Sequence, residues 1–106
     1  MKKISSNTIE ENEPIGKKRT RIEVISDILR VILEKKGRIK PTHLMYKANL
    51  SHKSLNIYTS QLIKSQLIIK SQNPKDNKNI FEITPKGITF YKQYSQVREF
   101  EKTFGL

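Results

Sequence analysis

Between Lys40 and Gln66 the sequence is punctuated closely enough to leave few folds open to it. Pro41 suits the first position of a helix, where its missing N–H is not needed and its fixed φ is already helical. Leu44, Met45 and Ala48 follow at the spacing of one helix face. Asn49 tolerates a left-handed backbone and ends that helix near Ala48. Leu50 bridges the gap, and Ser51 is a good N-cap for a second helix reaching about Gln66. Leu55, Tyr58, Leu62 and Ile63 form its inner stripe. Two short amphipathic helices joined by a tight turn make a helix-turn-helix.

The flanking sequence supplies what such a unit packs against. Thr20 with Glu23 forms a capping box, so a helix begins there. Ile22, Ile25, Ile28, Leu29, Ile32 and Leu33 recur at helical spacing, with Val24 and Val31 widening the stripe. Lys35 and Lys36 suit the negative end of its dipole, and Gly37 is expected to stop it. Arg38 and Ile39 leave room for a very short strand. After the second helix of the pair, Leu67-Ile68-Ile69 reads as a buried strand and Ile80-Phe81-Glu82-Ile83 as another. The six polar residues from Asn73 to Lys78 between them are turn chemistry, which predicts a β-hairpin. Thr84 and Pro85 open a last helix reaching about Phe104, in whose first turn Gly87 costs some helix propensity.

The predicted order is helix, short strand, helix, helix, β-hairpin, helix. That is a mostly α fold with a small β-wing, the winged helix-turn-helix. Residues 1–18 are expected to be a disordered polar arm, 19–84 the winged-helix domain, and 85–106 a C-terminal helix.

Charge narrows the partner. The 106 residues carry a formal net charge of +11. Residues 1–16 hold Lys2 and Lys3 against Glu10, Glu11 and Glu13, a net of −1, which leaves +12 on residues 17–106. The excess therefore belongs to the folded part, where it favours a polyanion: nucleic acid first, an anionic membrane surface second. No run approaches the ~18 apolar residues of a membrane-spanning helix. Lys2 and Lys3 have no apolar stretch behind them, so no signal peptide is expected and the cytoplasm, at the nucleoid, is the expected location.

A helix fits the major groove of B-DNA. On the second helix of the pair, His52, Lys53, Asn56, Ile57 and Ser60 are the candidate base contacts: Asn56 suits an adenine edge, Lys53 a guanine edge and Ile57 a thymine methyl. The candidate phosphate contacts are Lys40, Thr42 and Ser51 at helix N-termini, Lys64 further along, Lys75, Asn77 and Lys78 on the wing, and Arg19 and Arg21 at the end of the arm. A polar outer face is also what any surface helix shows, and wing lysines are often only solvated. A protein-interaction module and an RNA-binding protein remain open as alternatives. On the last helix Phe90, Tyr94, Val97, Phe100 and Phe104 recur at an average spacing near that of a coiled-coil seam, which predicts a homodimer through that helix.

Catalysis is not expected. His43 and His52 are the only histidines, there is no cysteine, and no carboxylates cluster, so neither a metal site nor a cofactor is predicted. The four glycines are scattered and make no phosphate-binding loop, and no small-molecule ligand is evident.

The run from Met45 to Ser51, followed by Tyr58 and Leu62, resembles the helix-turn-helix of small basic archaeal winged-helix proteins. These are the ten-kilodalton chromatin-type DNA-binding proteins and the related archaeal transcription regulators. Leu67-Ile68 and Ile83-Thr84-Pro85-Lys86-Gly87 resemble the start and finish of the same family's wing. The resemblance spans about residues 20–95. It implies a DNA-binding homodimer joined by an antiparallel coiled coil of the C-terminal helices. The last helix is shorter here than is usual in that family, and residues 1–18 are additional.

Overall fold

The computed structural model describes residues 18–106, so the polar arm expected at the N-terminus lies, but for Lys18, outside the described residues. The elements are α1 (Arg21–Glu34), β1 (Arg38–Ile39), α2 (Pro41–Lys47), α3 (His52–Lys64), β2 (Ile68–Gln72), β3 (Asn79–Ile83) and α4 (Pro85–Thr103). The three strands form one antiparallel sheet in the order β1-β3-β2. Arg38 and Ile39 pair with Glu82 and Phe81, which confirms the short strand. The hairpin pairs Ile68 with Ile83 at its base and Gln72 with Asn79 at its tip, leaving Asn73–Lys78 as the loop.

The core lies where α1, α2, α3 and the base of the hairpin converge. Ile28, Leu29, Ile32, Leu44, Leu62 and Ile68 are fully buried there. Truncating any of them to alanine would cost about 2–5 kcal/mol. The capping box is present: the Thr20 hydroxyl accepts from the Glu23 N–H at 3.2 Å, and the Thr20 N–H donates to the Glu23 carboxylate at 2.8 Å.

All four helices stop in the same way, with a left-handed residue just beyond the last turn. These residues are Lys36, Asn49, Gln66 and Gly105, at φ of 62°, 55°, 65° and 70°. The N–H of the next residue then reaches back into the helix: Gly37 to the Ile32 carbonyl, Leu50 to Met45, Leu67 to Leu62 and Leu106 to Glu101, at 2.8–2.9 Å. This is the Schellman motif. Asn49 turns left-handed as its residue type predicts. The stop of α1 falls at Lys36 and not at Gly37. Gly37, at φ 91°, instead makes the step into β1, and its carbonyl accepts from the Ile83 N–H at 3.0 Å.

Three other expectations change. Ile69 is 47% exposed, because pleating sends it to the face opposite the buried Ile68. Ile22 lies one turn too early to be covered and is also exposed. Gly87 does more than weaken its helix. It is buried where the first turn of α4 meets the link between α3 and β2, and a Cβ there would run into the Leu67 carbonyl and come within 2.8 Å of the Ile83 side chain. Only glycine permits that approach. Thr84 secures the same junction. Its hydroxyl accepts from the Gly87 N–H at 3.0 Å and points its hydrogen at the carbonyls of Gln66 (2.6 Å) and Leu67 (3.0 Å).

Candidate nucleic-acid interface

In the helix-turn-helix, Leu44 of α2, its C-cap residue Ala48, and Leu55, Thr59 and Leu62 of α3 are all buried, and the apolar ones share one core cluster. Apolar periodicity misses Thr59, although it sits one turn beyond Leu55. Its hydroxyl is silenced by donating to the Leu55 carbonyl at 2.7 Å, which lets a polar residue serve in the core. Tyr58 and Ile63 pack half-buried beside them.

Burying that stripe turns the opposite stripe outward. His52, Lys53, Asn56, Ile57, Ser60 and Lys64 are all exposed, and their spacing of three and four places them on one face of α3. Ile57 is 47% exposed, an isolated apolar side chain on an otherwise polar face. The Asn56 amide lies 3.4 Å from His52 Nδ1, one turn back. Ser51 caps the helix by accepting from the Ser54 N–H at 3.0 Å.

The wing loop is built by its own side chains. The Asn73 side-chain oxygen accepts from the Lys75 N–H at 2.9 Å, and Asp76 Oδ1 accepts from the Lys78 N–H at 3.0 Å. Asn77 takes a left-handed φ of 60°, and its N–H donates to the Asn73 carbonyl at 2.7 Å. Lys75, Asn77 and Lys78 are left exposed at the crown. Asp76 Oδ2 reaches across to Lys40 Nζ at 3.0 Å, joining the wing to the residue that precedes α2. The Lys40 ammonium, and after it the Lys78 N–H, hold the Asp76 carboxyl below its ordinary value. An open cleft of about 600 Å³ lies between the wing and α2, lined by Lys40, Thr42, His43, Gln72, Asn77 and Lys78 among others.

The charge is segregated. From Lys35 to Phe81 the chain holds ten cations: Lys35, Lys36, Arg38, Lys40, Lys47, Lys53, Lys64, Lys70, Lys75 and Lys78. Asp76 is the only acid in that stretch. The other acids of the described residues lie on α1 (Glu23, Asp27, Glu34), at Glu82 of β3, and on α4 (Glu99, Glu101).

Arg19, a candidate phosphate contact in the sequence, is tied into the fold. Its guanidinium bonds Asp27 at 2.9 Å, the Ala48 carbonyl at 2.8 Å and the Asn49 carbonyl at 2.9 Å. It thus fastens the start of α1 to the turn between α2 and α3. Arg21 is exposed at the first position of α1.

The five α4 residues divide. Phe90 packs half-buried against the core, as does Tyr91. Tyr94 is half-buried in a cleft between α1 and α4. Val97, Phe100 and Phe104 are 55%, 52% and 67% exposed, with the two phenylalanine rings edge-to-face at 4.8 Å. Among the described residues no helix is long and apolar enough to cross a membrane.

Comparison with known proteins agrees with this architecture. Nothing matches among curated protein sequences. Among solved structures, the chain is similar to Sso10a-2, a DNA-binding protein from Sulfolobus solfataricus, with a TM-score of 0.68 and 22% identity over 81% of this chain and 85% of that one. It is similar to F93 from STIV, a winged-helix DNA-binding protein, with a TM-score of 0.65 and 20% identity over 81% of this chain and 95% of that one. It also resembles a mutant of MarR from E. coli complexed with operator DNA, with a TM-score of 0.63 and 19% identity over 79% of this chain and 57% of that one. The winged helix-turn-helix family model matches residues 18–102. With helix, turn, helix and wing in place over that whole span, the chain belongs to the winged helix-turn-helix family.

Proposed function

We propose that this protein binds double-stranded DNA as a homodimer and acts as a transcription regulator or as a nucleoid-associated protein. The outer face of α3 enters the major groove. There Lys53, Asn56 and Ile57, with His52 and Ser60 beside them, meet base edges. Thr42, Ser51, Lys64 and Arg21, with Lys40, Lys75, Asn77 and Lys78 at the wing, lie against phosphates. One observation carries the reading: the exposed face of α3 lies within the stretch from Lys35 to Phe81 that holds ten cations and a single acid. Folding alone has no use for such an excess, since like charges repel in the compact state. The DNA-binding relatives of the same fold support it.

The homodimer rests on α4. Val97, Phe100 and Phe104 are exposed on the part of α4 that runs beyond the core-packed Phe90 and Tyr91, and a second copy of α4 is the occupant we assign to them. A two-fold dimer presents two α3 helices to spaced half-sites.

A binding-site selection on duplex DNA at two salt concentrations, with sedimentation of the free protein, tests both parts. Neutralising roughly 6–8 phosphates gives a slope of log K against log salt of about −5 to −7. A regulator enriches a defined site, whereas a general DNA coater binds duplexes alike. Negligible affinity for duplex at low salt would remove the reading, and sedimentation as a monomer would remove the dimer.

A further inference from the structure

Asp76 stands alone as an acid among the cations from Lys35 to Phe81, and it occupies the wing tip rather than a sheltered position. Its two carboxylate oxygens are used differently. Oδ1 accepts from the Lys78 N–H and shapes the loop. Oδ2 is not needed for that shape and takes Lys40 Nζ at 3.0 Å. Asparagine would fold the loop equally well, since its side-chain oxygen accepts the same N–H. The charge on Asp76 is therefore addressed to Lys40, which opens onto the cleft between α2 and the wing together with Lys78 and Thr42.

We propose that Lys40 is a seat for one DNA backbone phosphate and that the Asp76 carboxylate occupies this seat in the free protein, so that duplex binding exchanges one anion for the other. The exchange rests on the DNA-binding reading above and adds an internal competitor to it. A carboxylate and a phosphate oxygen offer an ammonium the same kind of charge-assisted acceptor. The Lys40–Asp76 pair is half-exposed, so it is weak enough to yield. While the duplex is absent, the pair also keeps Lys40 extended toward the cleft. The device lowers affinity evenly across DNA sequences, because a phosphate contact carries no base information.

The test is a double-mutant cycle in the full chain, using Asp76→Asn, Lys40→Gln and the two together. Each protein's fold is checked by circular dichroism, and affinity for a mixed-sequence duplex is measured by anisotropy across a salt series. Asp76→Asn keeps the loop-forming oxygen and removes the competing charge. It should bind about 2- to 5-fold more tightly than the parent. Its salt slope should stay near the parent's, because Lys40 neutralises one phosphate in both complexes. In the Lys40→Gln background the same change should bring no gain. Equal tightening in both backgrounds would mean that Asp76 acts only through the general field, and the exchange would be overturned. Unchanged or weaker binding by Asp76→Asn would also overturn it, with DNA binding by the parent left standing. A parent protein that ignores duplex at low salt would remove the underlying reading and this one together.

Discussion

Arg19 and Asn49, thirty residues apart, are joined by a hydrogen bond of 2.9 Å from the guanidinium to the turn carbonyl. The same side chain bonds Ala48 and Asp27, so one residue at the edge of the domain fixes how the helix-turn-helix sits on α1. Replacing Arg19 by alanine should lower stability by about 1–2 kcal/mol, since bonds to charged groups are the stronger ones but this group is about one-third exposed. Urea unfolding would show the loss. The slope of DNA affinity against salt should not change; a shallower slope would return Arg19 to the phosphate contacts.

Gly87 separates propensity from packing. By propensity, Gly87→Ala should stabilise α4 by about 1 kcal/mol. The buried Leu67 carbonyl and the Ile83 side chain make the opposite prediction, because the new methyl group has nowhere to go. The substitution should destabilise by about 1–3 kcal/mol, read as a lower melting temperature. A higher one would mean that α4 can shift off the hairpin at little cost.

On the proposed reading, position along the outer face of α3 separates two kinds of DNA contact. Asn56→Ala should lose about 1–3 kcal/mol on a selected site and little on a random duplex, as expected of a base contact. Lys64→Ala should weaken binding to all duplexes alike and make the salt slope shallower by about 0.9. If both variants lost affinity evenly over all sequences, α3 would be a backbone clamp and not a reader.

Glu23 links stability to acidity. Its carboxyl lies below the ordinary value, chiefly because it accepts the Thr20 N–H, with further help from the Thr20 hydroxyl side of the capping box and from Arg98. A carboxyl depressed in the folded state contributes its stability above its unfolded pKa and loses it as the pH falls through the folded value. Asp76 has the same sign. The denaturation midpoint should therefore hold steady from neutral pH down to about 5 and fall below about 4. Glu23→Gln should flatten that decline while lowering the plateau.

Much of this is legible in the sequence because it rests on neighbours in the chain. Thr20 and Glu23, Pro41, Asn49, Ser51, and Thr84 with Pro85 mark helix boundaries through contacts a few residues long. The outer face of α3 follows from its inner one. The rest depends on distant partners or on residue types that carry no local signal. Lys36 and Gln66 turn left-handed without being glycine or asparagine, which lets the N–H groups of Gly37 and Leu67 after them reach back to the Ile32 and Leu62 carbonyls. Thr59 is buried by what packs on it. Arg19 reads as a phosphate contact in the sequence because a cation's partners, here Asp27, Ala48 and Asn49, cannot be read from its position. Asp76 gives no signal there because its partner lies 36 residues away. The division of α4 into a packed Phe90 and an exposed Phe100 follows from how far along that helix the core extends.

The left-handed ends of α1 and α3 have an evolutionary consequence. Lys36 and Gln66 each hold a conformation that costs a residue with a Cβ about 1–2 kcal/mol, and glycine would relieve most of it. Both residues are exposed and lie outside α3. The chain can therefore be tuned toward a hotter habitat by single changes at two helix ends, leaving the outer face of α3 as it stands.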